Sequence, residues 1–317
     1  MGAYGAGTIF TLCGGHLFPL YDGARAAGLR LIDVRHESSA AFAAEGWARL
    51  GRRPGVAAVT AGPGVFNAVT ALASAAHNHS PVLLLGGRAP SATWGLGALQ
   101  EIDHVPVAAP LAKQAATVRE TVAAEVGRAL ALAMAPPRGP VFLDFPVDLP
   151  VEEPQPLPVV APPRAEPDPA VVAGILTALA GSRRPVVVAG SNVYLDGAWE
   201  QLRAFAEAAG APVFMNGMGK GALPADHPLA FARTRARALS EADLVVVAGT
   251  PVDFRLSYGW RFDPDAVVVH LDSHPALLPA AGGADWALGA DLALALGSLA
   301  EGASPAADPG WVAGLRA

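Results

Sequence analysis

The sequence carries a single cysteine, Cys13, in 317 residues. That excludes an internal disulfide and any cysteine zinc cluster. Charged residues are also scarce, at 16%, and the net charge is −6. Basic density rises only at Arg233, Arg235 and Arg237, where the spacing is that of a solvated helix face. No nucleic-acid partner is therefore expected. No apolar run approaches the ~18 residues of a membrane span; runs such as "VLLLGG" and "VVVAG" have the length of a strand. The N-terminus has no basic segment ahead of an apolar one, so no secretory signal is read. Position 6 is Ala where a lipidation site needs Ser or Thr. These absences predict a cytoplasmic protein with no membrane partner.

What is present is apolar residue in short blocks, 52% in all. Blocks at 8–13, 29–34, 56–61, 82–87 and 141–146 read as strands. Helical spacing fills 16–27, 38–51, 65–78 and 119–134. Strands alternating with helices imply a parallel sheet covered on both faces. Residues 150–169, "PVEEPQPLPVVAPPRAEPDP", hold eight prolines, which remove donors and fix φ, so this stretch reads as a semi-rigid linker. Alternation then resumes, with helices at 169–180, 197–209 and from Asp291, and strands at 185–190, 212–216, 244–249 and 267–272. The expected fold is α/β: two doubly wound, Rossmann-like parallel-sheet domains, 1–149 and 169–303, joined by a Pro-rich linker over 150–168. The tail 304–317 has the composition of the start of another linker, and the first strand begins within about eight residues of Met1, so both ends are expected to be cuts.

Ligands in such sheets bind beyond the carboxyl ends of the strands. Four of those ends in the first domain carry unusual residues: "CGGH" (13–16), "RHE" (35–37), "AGPGVFN" (61–67), and "GGRAP" followed by "LGALQEIDH" (86–90, 96–104). Glu37 has two readings. It is an acid at a helix start, favoured by the helix dipole, or a carboxyl held there to move a proton. Gly14 and Gly15 serve a tight turn or a close ligand approach. Asn67 serves a helix face or a ligand. His16 is a relay or a solvated histidine, and Gln100 and Glu101 are a substrate-facing pair or a loop pair. His77 and His79 lack a third ligand, so no metal site is read. Lys220 lies in "GMGKG", but Phe214 and Gly221 break the phosphate-loop pattern, and no GxGxxG follows a strand.

In order and spacing, "VRHE…AxxxAEGxAR", "PGVxxVTxGPGxxNxVT", "SPVLLLGG" and "LQEID" resemble the pyrimidine-binding domain of thiamine diphosphate enzymes. The acetolactate synthase and 2-hydroxyacyl-CoA lyase group is most similar. The resemblance covers 8 to about 148. "NGMGKGALPADHP" (216–228) and "GTPVDFRLSYG" (249–259) resemble the central domain more weakly. The resemblance implies thiamine diphosphate as cofactor, with Glu37 bonded to a ring nitrogen of its aminopyrimidine. It places Gly14, Gly15, Pro63, Gly64 and Asn67 along the pyrimidine, and Gln100 and His16 towards substrate. In relatives the central domain holds FAD, the ADP part of a CoA thioester, or nothing; Lys220, Asp253 and Arg255 are the candidates for such contacts here, with surface ion pairs as the alternative.

The same resemblance implies Mg²⁺ and a diphosphate-binding domain marked by Gly-Asp-Gly, which this sequence does not contain. The expected enzyme is therefore a transferase or lyase that makes or breaks a C–C bond in a 2-oxo acid or 2-hydroxyacyl-CoA. It would be split or truncated, and complete only as a homo-oligomer or with a separate chain carrying the missing domain. A non-catalytic binding or regulatory subunit, or an inactive fragment, is the alternative. A nucleotide-binding dehydrogenase lacks its fingerprint.

Overall fold

A computed structural model describes residues 1–119, 121–149, 158–159, 164–280 and 283–316. Most of the Pro-rich stretch at 150–168 lies outside the described residues. The chain divides into two compact units, Met1–Pro163 and Arg164–Ala317.

The first unit runs β1 (Thr8–Thr11), α1 (Phe18–Ala26), β2 (Arg30–Asp33), α2 (Glu37–Gly51), β3 (Gly55–Val59), α3 (Pro63–His77), β4 (Val82–Arg88), α4 (Val105–Ala108), β5 (Gln114–Thr117), α5 (Val122–Met134) and β6 (Val141–Pro146). All six strands are parallel, in the order β2-β1-β3-β4-β6-β5. Side chains alternate across the sheet. Ile9, Val56, Ala58, Leu83, Leu85 and Leu143 face one core with α1 and α5. Phe10, Ala57, Val59, Leu84 and Phe142 face the other with α2 and α3. The inner faces of α2 and α3 are built of Ala40, Ala41, Ala44, Ala68, Ala71 and Ala75, which let the helices approach the sheet and each other closely.

Far from the sheet's carboxyl edge, α2 and α3 are also joined by a buried acid. Glu45 is 5% exposed. It accepts from Ser74 Oγ and Asn78 Nδ2, both at 2.8 Å, and from Ser80 Oγ at 3.2 Å. Three donors offset the desolvation that an unpaired buried carboxylate would suffer.

The second unit runs α6 (Pro169–Gly181), β7 (Pro185–Ala189), α7 (Ser191–Leu195), α8 (Trp199–Ala209), β8 (Val213–Met215), β9 (Ala230–Phe231), α9 (Arg235–Glu241), β10 (Leu244–Ala248), β11 (Val267–Asp272), β12 (Trp286–Gly289), α10 (Leu292–Gly302) and α11 (Pro309–Arg316). Its six parallel strands lie in the order β12-β11-β10-β7-β8-β9. One face packs on α6, α8 and α10, the other on α9 and α11.

Two features differ from the sequence expectation. The strands β5, β9 and β12 were not anticipated. Each lies at an edge of its sheet, where burial on both faces is not required, and their apolar runs are short, with only two residues in β9 and four in β12, while β5 begins on Gln114. The stretch 304–317, expected to begin a linker, forms α11 over 309–316 instead. Its Ala, Gly and Pro content masks Trp311 and Leu315, four apart on one helix face, which are 7% and 2% exposed within the second core. Trp311 Nε1 donates to Pro185 O at 3.1 Å, which leaves that buried N–H satisfied.

Candidate functional site

In the first sheet, β1 leads to β2 on one side while β3 and β4 lie on the other. The strand order therefore reverses between β1 and β3, where such sheets open a crevice at their carboxyl ends. Glu37 begins α2 directly after β2. The His36 side chain caps this helix, accepting from Ser38 N at 3.2 Å, and Glu37 sits in its first turn, where the dipole favours an acid. Across the crevice α3 begins after Gly62. Pro63 at its first position starts the helix without losing a needed donor. One turn on, Asn67 Nδ2 donates to Glu37 Oε2 at 2.9 Å. Among the described residues Glu37 Oε1 accepts no hydrogen bond. The carboxyl is half-buried, with one oxygen fixed and the other available.

Thr60 is the centre of the remaining contacts. His16 Nδ1 lies 3.1 Å from Thr60 Oγ1, and that hydroxyl donates to Gln100 Oε1 at 3.3 Å. A Cβ added at Gly14 would fall 2.3 Å from Thr60 Cβ, and one at Gly64 would fall 2.8 Å from Thr60 Cγ2 and 3.5 Å from Glu37 Oε1. Gly14 is thus required by its neighbour, whereas nothing lies within 4 Å of the corresponding position at Gly15. His16 is held below the ordinary histidine pKa, chiefly by desolvation, with a backbone bond at Leu99 opposing it. Gln100 takes a left-handed backbone, φ 56°, which is uncommon outside glycine.

The first-domain candidates form two linked groups, then: Glu37 with Asn67 and Gly64, and His16 with Gln100, joined through Thr60. Sequence reasoning missed Thr60, although it stands in the "VTAGPG" motif. It also missed His104, Asp144 and Arg88. His104 Nδ1 and Arg88 Nη1 each lie 2.9 Å from Asp144 Oδ2. Their signal was a charged residue inside or beside an apolar strand, "VFLDFP" and "LLLGGR".

In the second unit, Asp253 caps the turn that follows it by accepting from Arg255 N at 2.9 Å, and pairs with the Arg255 guanidinium. Arg255 also lies over the Phe254 ring. These two candidate nucleotide contacts are thus an ion pair with each other, and Lys220 is exposed after the turn at 217–219. A polar cluster missed in the sequence lies at the end of β11. Asp272, 1% exposed, accepts from Asn192 Nδ2 and Ser273 N, each at 2.7 Å. Burial pushes its carboxyl up to about 6. Among the described residues no group of three or more His, Cys, Asp or Glu could hold a metal, and no helix is long and apolar enough to cross a membrane.

Residues 1–107 match the family described as thiamine pyrophosphate enzyme, N-terminal TPP binding domain, and residues 172–299 match its central domain. The chain is 45% identical to the acetolactate synthase large subunit IlvG of Mycobacterium tuberculosis, over 98% of this chain and 58% of that one. It is 36% identical to 2-hydroxyacyl-CoA lyase 2 of Caenorhabditis elegans, over 97% of this chain and 56% of that one. An X-ray structure described as a thiamin diphosphate-dependent enzyme from Mycobacterium smegmatis superposes with a TM-score of 0.83 at 25% identity, covering 96% of this chain and 61% of that one. The chain thus spans under two thirds of the relatives it matches.

Proposed function

The chain belongs to the thiamine pyrophosphate enzymes, in the group of acetolactate synthase and 2-hydroxyacyl-CoA lyase, and we propose that it supplies the pyrimidine-recognising half of such an enzyme. The reaction proposed is the making or breaking of a C–C bond beside a carbonyl, with a 2-oxo acid or a 2-hydroxyacyl-CoA as substrate. The observation that carries this reading is Glu37, fixed by Asn67 through one oxygen and, among the described residues, open at the other.

Bound thiamine diphosphate would supply an activated carbon that attacks a carbonyl and stores the resulting electron pair. The residues present fit its pyrimidine end. A ring nitrogen needs a partner that can share a proton, and Glu37 Oε1 is a carboxyl oxygen at the crevice that accepts no hydrogen bond among the described residues. Gly64 adds no side chain beside that oxygen and lets Thr60 pack close, since a Cβ there would fall 2.8 Å from Thr60 Cγ2. Asn67 keeps the carboxyl from rotating, which limits where the shared proton can lie. Thr60 fixes His16 and Gln100 relative to each other. We assign those two to the substrate side, His16 as a ring that can hold or release a proton, its pKa below the ordinary histidine value, and Gln100 as a neutral donor.

The diphosphate and Mg²⁺ would be held by a further domain, in a second copy of an enzyme subunit or in a separate chain. The central unit is proposed to take FAD or the ADP part of a CoA, with Lys220, Asp253 and Arg255 as contacts.

Mild purification from the native source, followed by assay with pyruvate and with a 2-hydroxyacyl-CoA, tests the reading. The expected result is an assembly that retains thiamine diphosphate and turns over one of these substrates. Glu37→Gln should lower kcat about 10²- to 10⁴-fold with cofactor still bound. An assembly whose rate is unchanged by Glu37→Gln overturns it.

A further inference from the structure

His104 touches none of the groups assigned to cofactor or substrate except through other residues, yet it is 1% exposed and fully engaged. Its Nε2 lies 2.8 Å from the Gly62 backbone N, which donates to it. An amide N–H can only donate, so Nε2 carries a lone pair and the ring proton sits on Nδ1. That proton is given to Asp144 Oδ2 at 2.9 Å. Arg88 Nη1 donates to the same oxygen, and Asp144 Oδ1 is buried with no partner among the described residues. One carboxylate oxygen therefore anchors the whole arrangement. Phe66 and Phe142 meet the imidazole edge-on at 6.2 and 6.3 Å, which confines the ring plane.

The residue held is an unusual one. Gly62 has φ 61° and ψ −120°, a conformation essentially restricted to glycine. Its peptide sets the direction in which Pro63 and Gly64 enter α3. It also carries the Gln100 segment, since a Cβ at Gly62 would come within 3.0 Å of both Gln100 Cβ and Gln100 O. Gly64 and Asn67 then meet Glu37, and Gln100 meets Thr60.

We propose that His104, backed by Asp144, is a positioning residue of the pyrimidine half-site: it pins the Gly62 amide, and through that turn sets Gly64 and Asn67 against Glu37 and Gln100 against Thr60. The inference rests on the reading of Glu37 given above. It separates the two bonds of the imidazole. The acceptor at Nε2 acts on the site, and the donor at Nδ1 holds the ring in place.

Three variants of the full chain divide these functions. His104→Gln keeps an acceptor for Gly62, His104→Asn keeps a donor for Asp144, and His104→Phe keeps only the ring. The measurements are ¹⁵N–¹H NMR of the Gly62 amide and the Asn67 side-chain amide, hydrogen exchange at Gly62, and titration with thiamine. In the wild type, Nε2 should show the ¹⁵N shift of a lone-pair nitrogen. In His104→Asn and His104→Phe, exchange at Gly62 should quicken about tenfold or more, the worth of one lost hydrogen bond, and the Asn67 amide should move. His104→Gln should restore both, with thiamine binding within about threefold of wild type against about a tenfold loss in the other two. Wild-type values in His104→Asn, or a protonated Nε2 in the native chain, would overturn the proposal. If His104→Phe does not fold, the Gln and Asn pair and the native ¹⁵N shift still decide it. Absence of thiamine binding by every form, with the Gly62 and Asn67 pattern as expected, would count against the proposed cofactor and leave the positioning role supported.

Discussion

Asn67 and Glu37 are thirty residues apart and meet at 2.9 Å, Glu37 at the start of one helix and Asn67 one turn into another. The bond leaves the acid with one committed oxygen and one free among the described residues. Replacing Asn67 by Ala removes one partly solvated hydrogen bond, so stability should fall by only about 1 kcal/mol. Affinity of the assembled protein for thiamine diphosphate should fall further, about tenfold, because the carboxyl loses its orientation. Thermal denaturation and a cofactor titration on the same variant check the two parts. Equal loss in both would mean that Asn67 serves stability alone.

Gly14 and Gly15 are adjacent, yet they should respond differently to the same substitution. Ala at 14 would drive a methyl to 2.3 Å from Thr60 Cβ, so Gly14→Ala should cost about 2–3 kcal/mol and disturb the bonds to His16 and Gln100. Ala at 15 meets nothing within 4 Å, and Gly15→Ala should stay within about 0.5 kcal/mol. Urea denaturation of the pair decides this; similar losses would remove the close approach as the reason for Gly14.

Glu45 should be worth more to the fold than Glu37. Its removal strands Ser74, Asn78 and Ser80 beneath α2 and α3. Glu45→Ala should therefore cost about 3 kcal/mol, and Glu45→Gln less, since an amide oxygen can still accept. A Glu45→Ala chain as stable as wild type in urea would contradict the burial argument.

In the second unit, burial raises the Asp272 carboxyl from 3.8 to about 6, with Asn192 and Ser273 opposing the rise. The folded chain thus binds this proton more tightly than the unfolded chain. Stability from this group is present at low pH and is lost as pH climbs from about 4 to about 6, by roughly 3 kcal/mol for a shift near two units. Asp272→Asn keeps an oxygen for Asn192 and Ser273 N and never ionises. The variant should gain on wild type across that window and hold its lead at pH 7. A stability difference that does not change between pH 4 and pH 7 would refute the assignment.

The parallel strands in the sheet interiors were legible because burial on both faces writes a continuous apolar run, as in "VLLLGG" and "PVVVAG". Edge strands such as Gln114–Thr117 were not, because half of their surface needs no apolar residue. The last helix was marked by local chemistry, with Asp291 capping it where it was expected to begin, whereas the helix read over 65–78 starts two residues earlier, at Pro63. The RHE and Gly-Pro-Gly turns could be placed on one sheet edge because each follows the carboxyl end of a strand in the strand–helix alternation, and Glu37, Gly64 and Asn67 meet there. The contacts of His104 with Asp144 and of His16 with Thr60 could not be read. Both join residues about forty apart in sequence through side-chain geometry, which no spacing rule encodes.

The Glu45 cluster and the Glu37–Asn67 bond together act as two rivets in one plate. Glu37 and Glu45 are eight residues apart on α2, a span of about 12 Å, and their partners Asn67 and Ser74 are seven apart on α3. A single rivet would let one helix swing about it and sweep the carboxyl sideways. Two of them remove that rotation, so α2 and α3 can shift only as one body. The distance from Glu37 to anything seated on Gly64 is then fixed by the stiffness of the helix pair and not by the looseness of a loop.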